Sequence, residues 1–288
     1  MRRRKRRRGA TAPPLCKRSD FMGENVGKLH HTAQRENHQH MSTSASTAAD
    51  APAPRFNPRP RLSVVPAHEG AVCVVLDDVL LNAEEVRAWA CRQPLMPPEG
   101  YPYPGRVAPV EAAIARPLEE HFNQHVRARL GARRTLGLTA RVSLVTTAPA
   151  QLSPVQWLCH RDRIAAHPQE VLFAASVLYL FEDARLGGTS LYRPRRSSLE
   201  TDRLVYDSQT LPAEAFASRY GLQPGYMTEG NDWFERTARV DAAFNRAVYY
   251  DGSIFHSADV LEPQRLSEDP RTGRLSVNGF YTCKRRAS

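Results

Sequence analysis

Three residues far apart in the chain have the side-chain types that hold a metal ion. His160 and Asp162 flank one residue in the triplet His160-Arg161-Asp162, and His256 follows ninety-six positions after His160. Two imidazoles and one carboxylate can cap one face of an octahedral iron and leave three positions open for chemistry. Residues i and i+2 of a β-strand leave the same face, so a strand through QWLCHRD would aim His160 and Asp162 together. Eighteen positions beyond His256, Arg274 and Ser276 alternate in the apolar run RLSVNGFYT, sharing a strand face with Asn278 and Phe280. An unpaired guanidinium among apolar residues is costly. A bound carboxylate would match its planar fork, and the Ser hydroxyl would add a further bond. An internal Asp or Glu is the competing partner.

The remaining histidines and the cysteines carry less. His121 and His125 are four apart on a helical pattern, as in zinc proteases, but Phe122 stands where the general-base Glu belongs. They read as helix-surface residues. His167 follows the triplet too closely to be a third ligand and is expected on a loop. His30, His31, His38 and His40 lie in a segment without apolar pattern. Cys159 points away from His160 on a strand and reads as core. The five cysteines are scattered without a C-x-x-C pair, which suggests a reducing, cytoplasmic setting.

The elements that must position these residues change character along the chain. AVCVVLDDVL from Ala71 reads as a buried strand, and Asn82 as the N-cap of a helix over 83–92. Residues 95–109 form a proline-rich loop carrying Tyr101 and Tyr103. Ile114, Leu118, Phe122, Val126 and Leu130 recur every four residues, predicting a second helix bent or divided at Pro117 and stopped by Gly131. From Ala140 the period becomes that of strands: RVSLVTT, QWLCHRD, VLFAASVLYLF and TSLYRP, then RAVYYD, IFHSA and RLSVNGFYT. A polar insertion over 195–240 interrupts them, with helical patches near 213–219 and 233–240. Helices first and short strands after predict a mainly β fold with a helical buttress.

Residues 1–40 carry eleven Lys or Arg against three acids, so most of the net charge of +10 sits there. Residues 1–68 show no sustained apolar period and read as a disordered basic, Pro/Ser-rich tail, with one domain over 69–288. Met41 opens a Ser/Thr/Ala-rich leader that suits an alternative start. The basic head alone gives little reason to expect a nucleic-acid partner. No run of about 18 apolar residues is present, so no membrane span is expected. The arginine-rich start is not followed by the apolar stretch of a secretory signal.

From about Val142 to Thr282 the sequence resembles the double-stranded β-helix, a cupin-like jelly roll, of the 2-oxoglutarate/Fe(II)-dependent oxygenases. It is similar above all to the prolyl-hydroxylase-like branch and its uncharacterised bacterial relatives. The shared pattern is H-x-D at His160 and Asp162, a distal histidine at His256, and a basic residue on the last strand at Arg274 with Ser276. GGTSLYRP matches the glycine-led strand that follows H-x-D in the family. The longer gap before Arg274 is the polar stretch EPQRLSEDPRTG, expected as an extended loop. The resemblance implies Fe(II) on His160, Asp162 and His256, and 2-oxoglutarate anchored by Arg274 and Ser276. It also implies hydroxylation of a C–H bond with release of succinate and carbon dioxide. The substrate would be a small molecule or peptide, with Tyr101, Tyr103, Trp157, Tyr192, Arg193 and Trp233 as candidate mouth residues. A non-catalytic binding or regulatory protein on the same jelly roll is the alternative.

Overall fold

Residues 52–162 and 170–286 are described by a computed structural model. The histidines at 30–40, His167 and the tail up to residue 51 lie outside them. Ten strands are present among the described residues: β1 (Arg61–Pro66), β2 (Val72–Asp77), β3 (Gly105–Pro109), β4 (Ala132–Val145), β5 (Val171–Tyr179), β6 (Thr189–Pro194), β7 (Phe234–Val240), β8 (Ala247–Asp251), β9 (Phe255–Ala258) and β10 (Arg274–Arg285). Four helices join them: α1 (Ala83–Cys91), α2 (Ala112–His125), α3 (Ser198–Thr210) and α4 (Ala213–Tyr220).

The strands form a large antiparallel sheet in the order β1-β2-β8-β5-β10-β4-β3 and a small one in the order β7-β6-β9. This is the expected jelly roll, mainly β with a helical buttress. Strand parity divides its core. Val74, Leu76, Tyr249, Leu178, Leu275, Val277, Tyr281, Val142 and Leu144 pack outward with Trp89 of α1 and with Ile114, Leu118 and Phe122 of α2. Phe122 stacks on Tyr281 with ring centroids 3.9 Å apart. Residues of the opposite parity, Val75, Ala175, Tyr179, Val248 and Tyr250, meet Leu191, Ala238 and Val240 of the small sheet. Each face buries its own apolar set, so a one-residue slip of register would exchange them.

Several local expectations are corrected. Residues 52–68 are not part of a core-free tail. β1 pairs with β2 along its whole length, Phe56 bridges Leu80, and Asn82 accepts from the backbone N–H of Arg55. The sequence carries no apolar period for this strand, because its side chains are almost all exposed and backbone bonds hold it at the sheet edge. Asn82 uses its side chain on residues 53–55 and on Glu85 rather than as a conventional N-cap. QWLCHRD is not a strand: a short 3₁₀ turn over Pro154–Trp157 leads to an isolated bridge between His160 and His256. The stretch 233–240, expected as helical, is β7. Its alternation of buried and exposed residues won over local helix propensity. α3 was not anticipated, although Ser197 and Glu200 form a reciprocal capping box at its start. α2 runs unbroken through Pro117.

Candidate metal centre

His160, Asp162 and His256 come from three backbone environments held together by a few bonds. The His160 N–H donates to the His256 carbonyl at 2.9 Å, and the His256 N–H returns to the His160 carbonyl at 2.8 Å. That reciprocal pair fixes the two imidazoles side by side, with ring centroids 4.3 Å apart. Asp162 then donates its N–H to the Gly252 carbonyl at 2.8 Å. Gly252 sits so close that a Cβ there would lie 3.0 Å from Asp162 Oδ2. Glycine keeps this wall thin, and nothing in the Asp251-Gly252 turn of the sequence announced that role.

The three donor atoms lie within 4.8 Å of one another. His160 Nε2 is 3.7 Å from Asp162 Oδ1, and His256 Nε2 is 3.5 Å from Asp162 Oδ2. The His256 Nδ1 lies 2.8 Å from the Ile254 carbonyl. A carbonyl only accepts, so Nδ1 carries the proton and Nε2 turns a lone pair toward Asp162. Asp162 Oδ2 is buried and has no hydrogen bond among the described residues. Lone pairs facing each other in a recess repel, and a cation between them turns that repulsion into ligation. The His160 side chain keeps 58% of its surface open to solvent, whereas that of His256 keeps 6%. The donor set therefore fits a divalent metal approached from the His160 side.

The H-x-D segment rests on the 195–240 insertion. Trp157, Leu158 and Cys159 pack with Tyr192, Leu204, Phe216, Phe234 and Phe255, and Arg161 pairs with Asp202 of α3 at 3.2 Å. Cys159 is core, as expected. Trp157 and Tyr192 are buried too, bonded to the carbonyls of Leu152 and Met227, so neither lines a mouth. Trp233 donates its indole N–H to the Tyr220 carbonyl, and Arg193 pairs with Glu235. His121 is not a surface residue: it is buried, stacks on Phe56 at 4.2 Å, and leaves both ring nitrogens without partners.

Arg274 and Ser276 share the inward face of β10 and are both buried. Arg274 Nε donates to the Leu186 and Gly187 carbonyls at 3.1 and 3.2 Å, and Nη2 to the Gly188 carbonyl at 2.6 Å. Glycine is required at both positions. A Cβ on Gly187 would run into the Asp259 carbonyl, and one on Gly188 into that of Val240. Arg274 makes no carboxylate ion pair among the described residues. The internal acid that could have explained its burial is therefore not in place. Ser276 donates to Asn278 Oδ1 at 2.9 Å. A surface cleft lined by Glu84, Arg87, Cys91, Asp269 and Arg271 shares no residue with the triad. No helix among the described residues is long and apolar enough to cross a membrane.

A family model, DUF6445, described as a family of unknown function, matches residues 58–281 and so spans every residue of this centre. No curated protein matches the chain. Among solved structures, HygX from Streptomyces hygroscopicus, with nickel and 2-oxoglutarate bound, is 13% identical. That match covers 73% of this chain and 82% of HygX at a TM-score of 0.42. SnoN, a non-heme alpha-ketoglutarate-dependent epimerase from nogalamycin biosynthesis, is 12% identical over 74% of this chain and 81% of its own, at 0.37. EvdO2 from Micromonospora carbonacea var. aurantiaca, complexed with 2-oxoglutarate, is 11% identical over 75% and 88%, at 0.35.

Proposed function

The chain belongs to the DUF6445 family, and we propose that it is a non-haem iron, 2-oxoglutarate-dependent oxygenase that hydroxylates a C–H bond of a small-molecule or peptide substrate. The observation that carries this reading is the convergence of two imidazole nitrogens on a carboxylate whose buried oxygen has no hydrogen-bond partner among the described residues. Two histidines and one carboxylate with open positions are the donor set of such iron centres.

His160, Asp162 and His256 would hold the metal. Iron bound there with 2-oxoglutarate would supply oxidative decarboxylation by dioxygen, giving succinate and carbon dioxide, with one oxygen atom delivered to the substrate. The protein's own part is placement. The Ile254 carbonyl holds the His256 tautomer, and the His160–His256 bridge fixes the angle between the rings. Arg274 suits the far carboxylate of the cosubstrate: three backbone carbonyls set its plane, and it forms no carboxylate ion pair among the described residues. Ser276 would turn its hydroxyl from Asn278 toward the same carboxylate.

The test is succinate formation from 2-oxoglutarate by the purified chain, dependent on added Fe(II), abolished by a chelator and restored by iron. A search for products heavier by one oxygen atom then identifies the substrate. A chain that takes up neither iron nor 2-oxoglutarate would sink the reading. One that binds both without turnover would favour the binding-protein alternative.

A further inference from the structure

Arg141 is a second guanidinium on the inward face of the large sheet, and the oxygenase reading leaves it without a task. It lies on β4 opposite Asn278, two residues from Ser143, which lies opposite Ser276. Parity therefore puts Arg141 on the same face as Arg274, Ser276 and Phe280. Three aromatic rings surround its Cζ, those of Phe280 at 4.8 Å, Tyr101 at 4.9 Å and Tyr103 at 5.1 Å. Among the described residues its buried Nε has no hydrogen-bond partner, and it forms no ion pair.

Arginines with structural work in this protein look different. Arg246 grips Asp77 through two nitrogens at 2.6 and 3.2 Å, and Arg274 is tied to three carbonyls. Ring faces attract a guanidinium but offer no lone pairs in its plane, so they do not satisfy the N–H groups of its fork. Such a fork, walled by rings, is a receptor for a planar anion.

The cage also stands at a useful distance from the metal centre. Tyr250, Ala175 and Phe280 sit side by side across β8, β5 and β10, and the Tyr250 ring is 4.7 Å from that of His256. Two strand spacings separate the Tyr250 and Phe280 backbones across the buried Ala175, roughly 10 Å, which is the span of a small organic molecule.

Charge points the same way, and this part rests on the oxygenase reading. A divalent metal, Arg274 and Arg141, set against the one carboxylate of Asp162, leave three positive charges. Doubly charged 2-oxoglutarate leaves one. Of the nearby acids, Asp251 pairs with Arg285, while Asp259 shares Arg239 with Asp241 and also feels the charge of Arg274. We propose that Arg141, within Tyr101, Tyr103 and Phe280, binds a carboxylate of the substrate to be oxidised and thereby presents its C–H bond to the metal centre.

The test uses the full chain loaded with Zn(II), a redox-silent stand-in, with and without 2-oxoglutarate. Benzoate and benzamide, alike in shape and different in charge, are titrated while the Arg141 Nε–H resonance is followed by NMR. Benzoate should move that resonance and bind at least about tenfold more tightly than benzamide, one decade being 1.4 kcal/mol. Arg141→Gln should erase the preference while 2-oxoglutarate still binds. Arg141→Lys, which keeps the charge, should retain part of it and guards against a folding defect. Equal binding of the two probes, or binding of neither, overturns the proposal. So does a loss of 2-oxoglutarate affinity in Arg141→Gln as large as in Arg274→Gln, which would make Arg141 a cosubstrate residue. Failure of the zinc protein to bind 2-oxoglutarate would count against the oxygenase reading instead, and the benzoate–benzamide contrast would still decide Arg141.

Discussion

Strand β10 presents two different proteins on its two faces. Leu275, Val277 and Tyr281 look toward the helices and belong to an apolar core shared with α1 and α2. Arg274, Ser276, Asn278 and Phe280 look toward the small sheet, where the neighbouring side chains of β4 are Arg141 and Ser143. The first face is close-packed and holds no charge. The second holds two guanidinia, neither with a carboxylate partner among the described residues. Adjacent residues thus answer to different demands: one set is chosen to remove apolar surface from water, the other to wait for ligands. Substitutions on the two faces should therefore differ in what they change most.

The largest separation is expected at the centre the inward face looks toward. Asp162→Ala should reduce iron affinity by at least about a hundredfold, the upper range for losing a mere supporting contact, and abolish turnover. Thermal melting without metal should stay near wild type. Metal content and melting temperature measured together check it, and full iron occupancy in the variant would break the assignment. Arg274→Gln comes next and should raise the half-saturation for 2-oxoglutarate roughly thirtyfold or more, from about 2–5 kcal/mol for truncating a buried charge pair. An unchanged half-saturation would remove Arg274 from the site. Its outward neighbour should behave in the opposite way. Leu275→Ala is expected to cost about 2–5 kcal/mol of stability, seen as a lower denaturation midpoint, with the 2-oxoglutarate half-saturation unmoved. A shift in both would show that the two faces are coupled.

The smallest effect comes from His121, a buried imidazole in the apolar layer. Burial first, then His125, depress the His121 imidazole to about 4. The folded protein therefore resists a proton that the unfolded chain accepts from about pH 6.5 downward. Stability should be whole above that value and fall by about 1 kcal/mol per pH unit between roughly 6.5 and 4. His121→Phe keeps the stacking on Phe56, leaves no orphaned nitrogens and should flatten that part of the melting-temperature profile. A slope that survives the substitution would assign the acid sensitivity to another group.

The same division explains what could be read from the chain. Continuous apolar runs made β5 and β8 visible, alternation marked β10, and the four-residue spacing of Ile114, Leu118 and Phe122 gave α2, because burial leaves its trace in the sequence. β1 left none, since its bonds are backbone bonds and its side chains face solvent. The site residues were legible by type and order, although the strand expected to aim His160 and Asp162 is a turn followed by a two-bond bridge. The aim survives because Gly252 and His256 hold the backbone of that segment from outside, which no local pattern encodes. Arg141 went unread because one arginine in RVSLVTT looks like any exposed strand residue. Only Tyr101, Tyr103 and Phe280, brought from distant segments, give it a setting.

Arg274 carries a consequence for how relatives of this chain should be judged. The three carbonyls it holds belong to the turn that starts β6, and β6 sets Leu191 opposite His256. The side chain is thus a rivet of the small sheet as well as a seat for an anion. A descendant that had given up its chemistry could shed His160 at little structural expense, yet could not shed this arginine without loosening the sheet. Persistence of the arginine in a divergent copy is accordingly weak testimony of activity. Persistence of the solvent-facing histidine, which the scaffold hardly needs, is strong testimony.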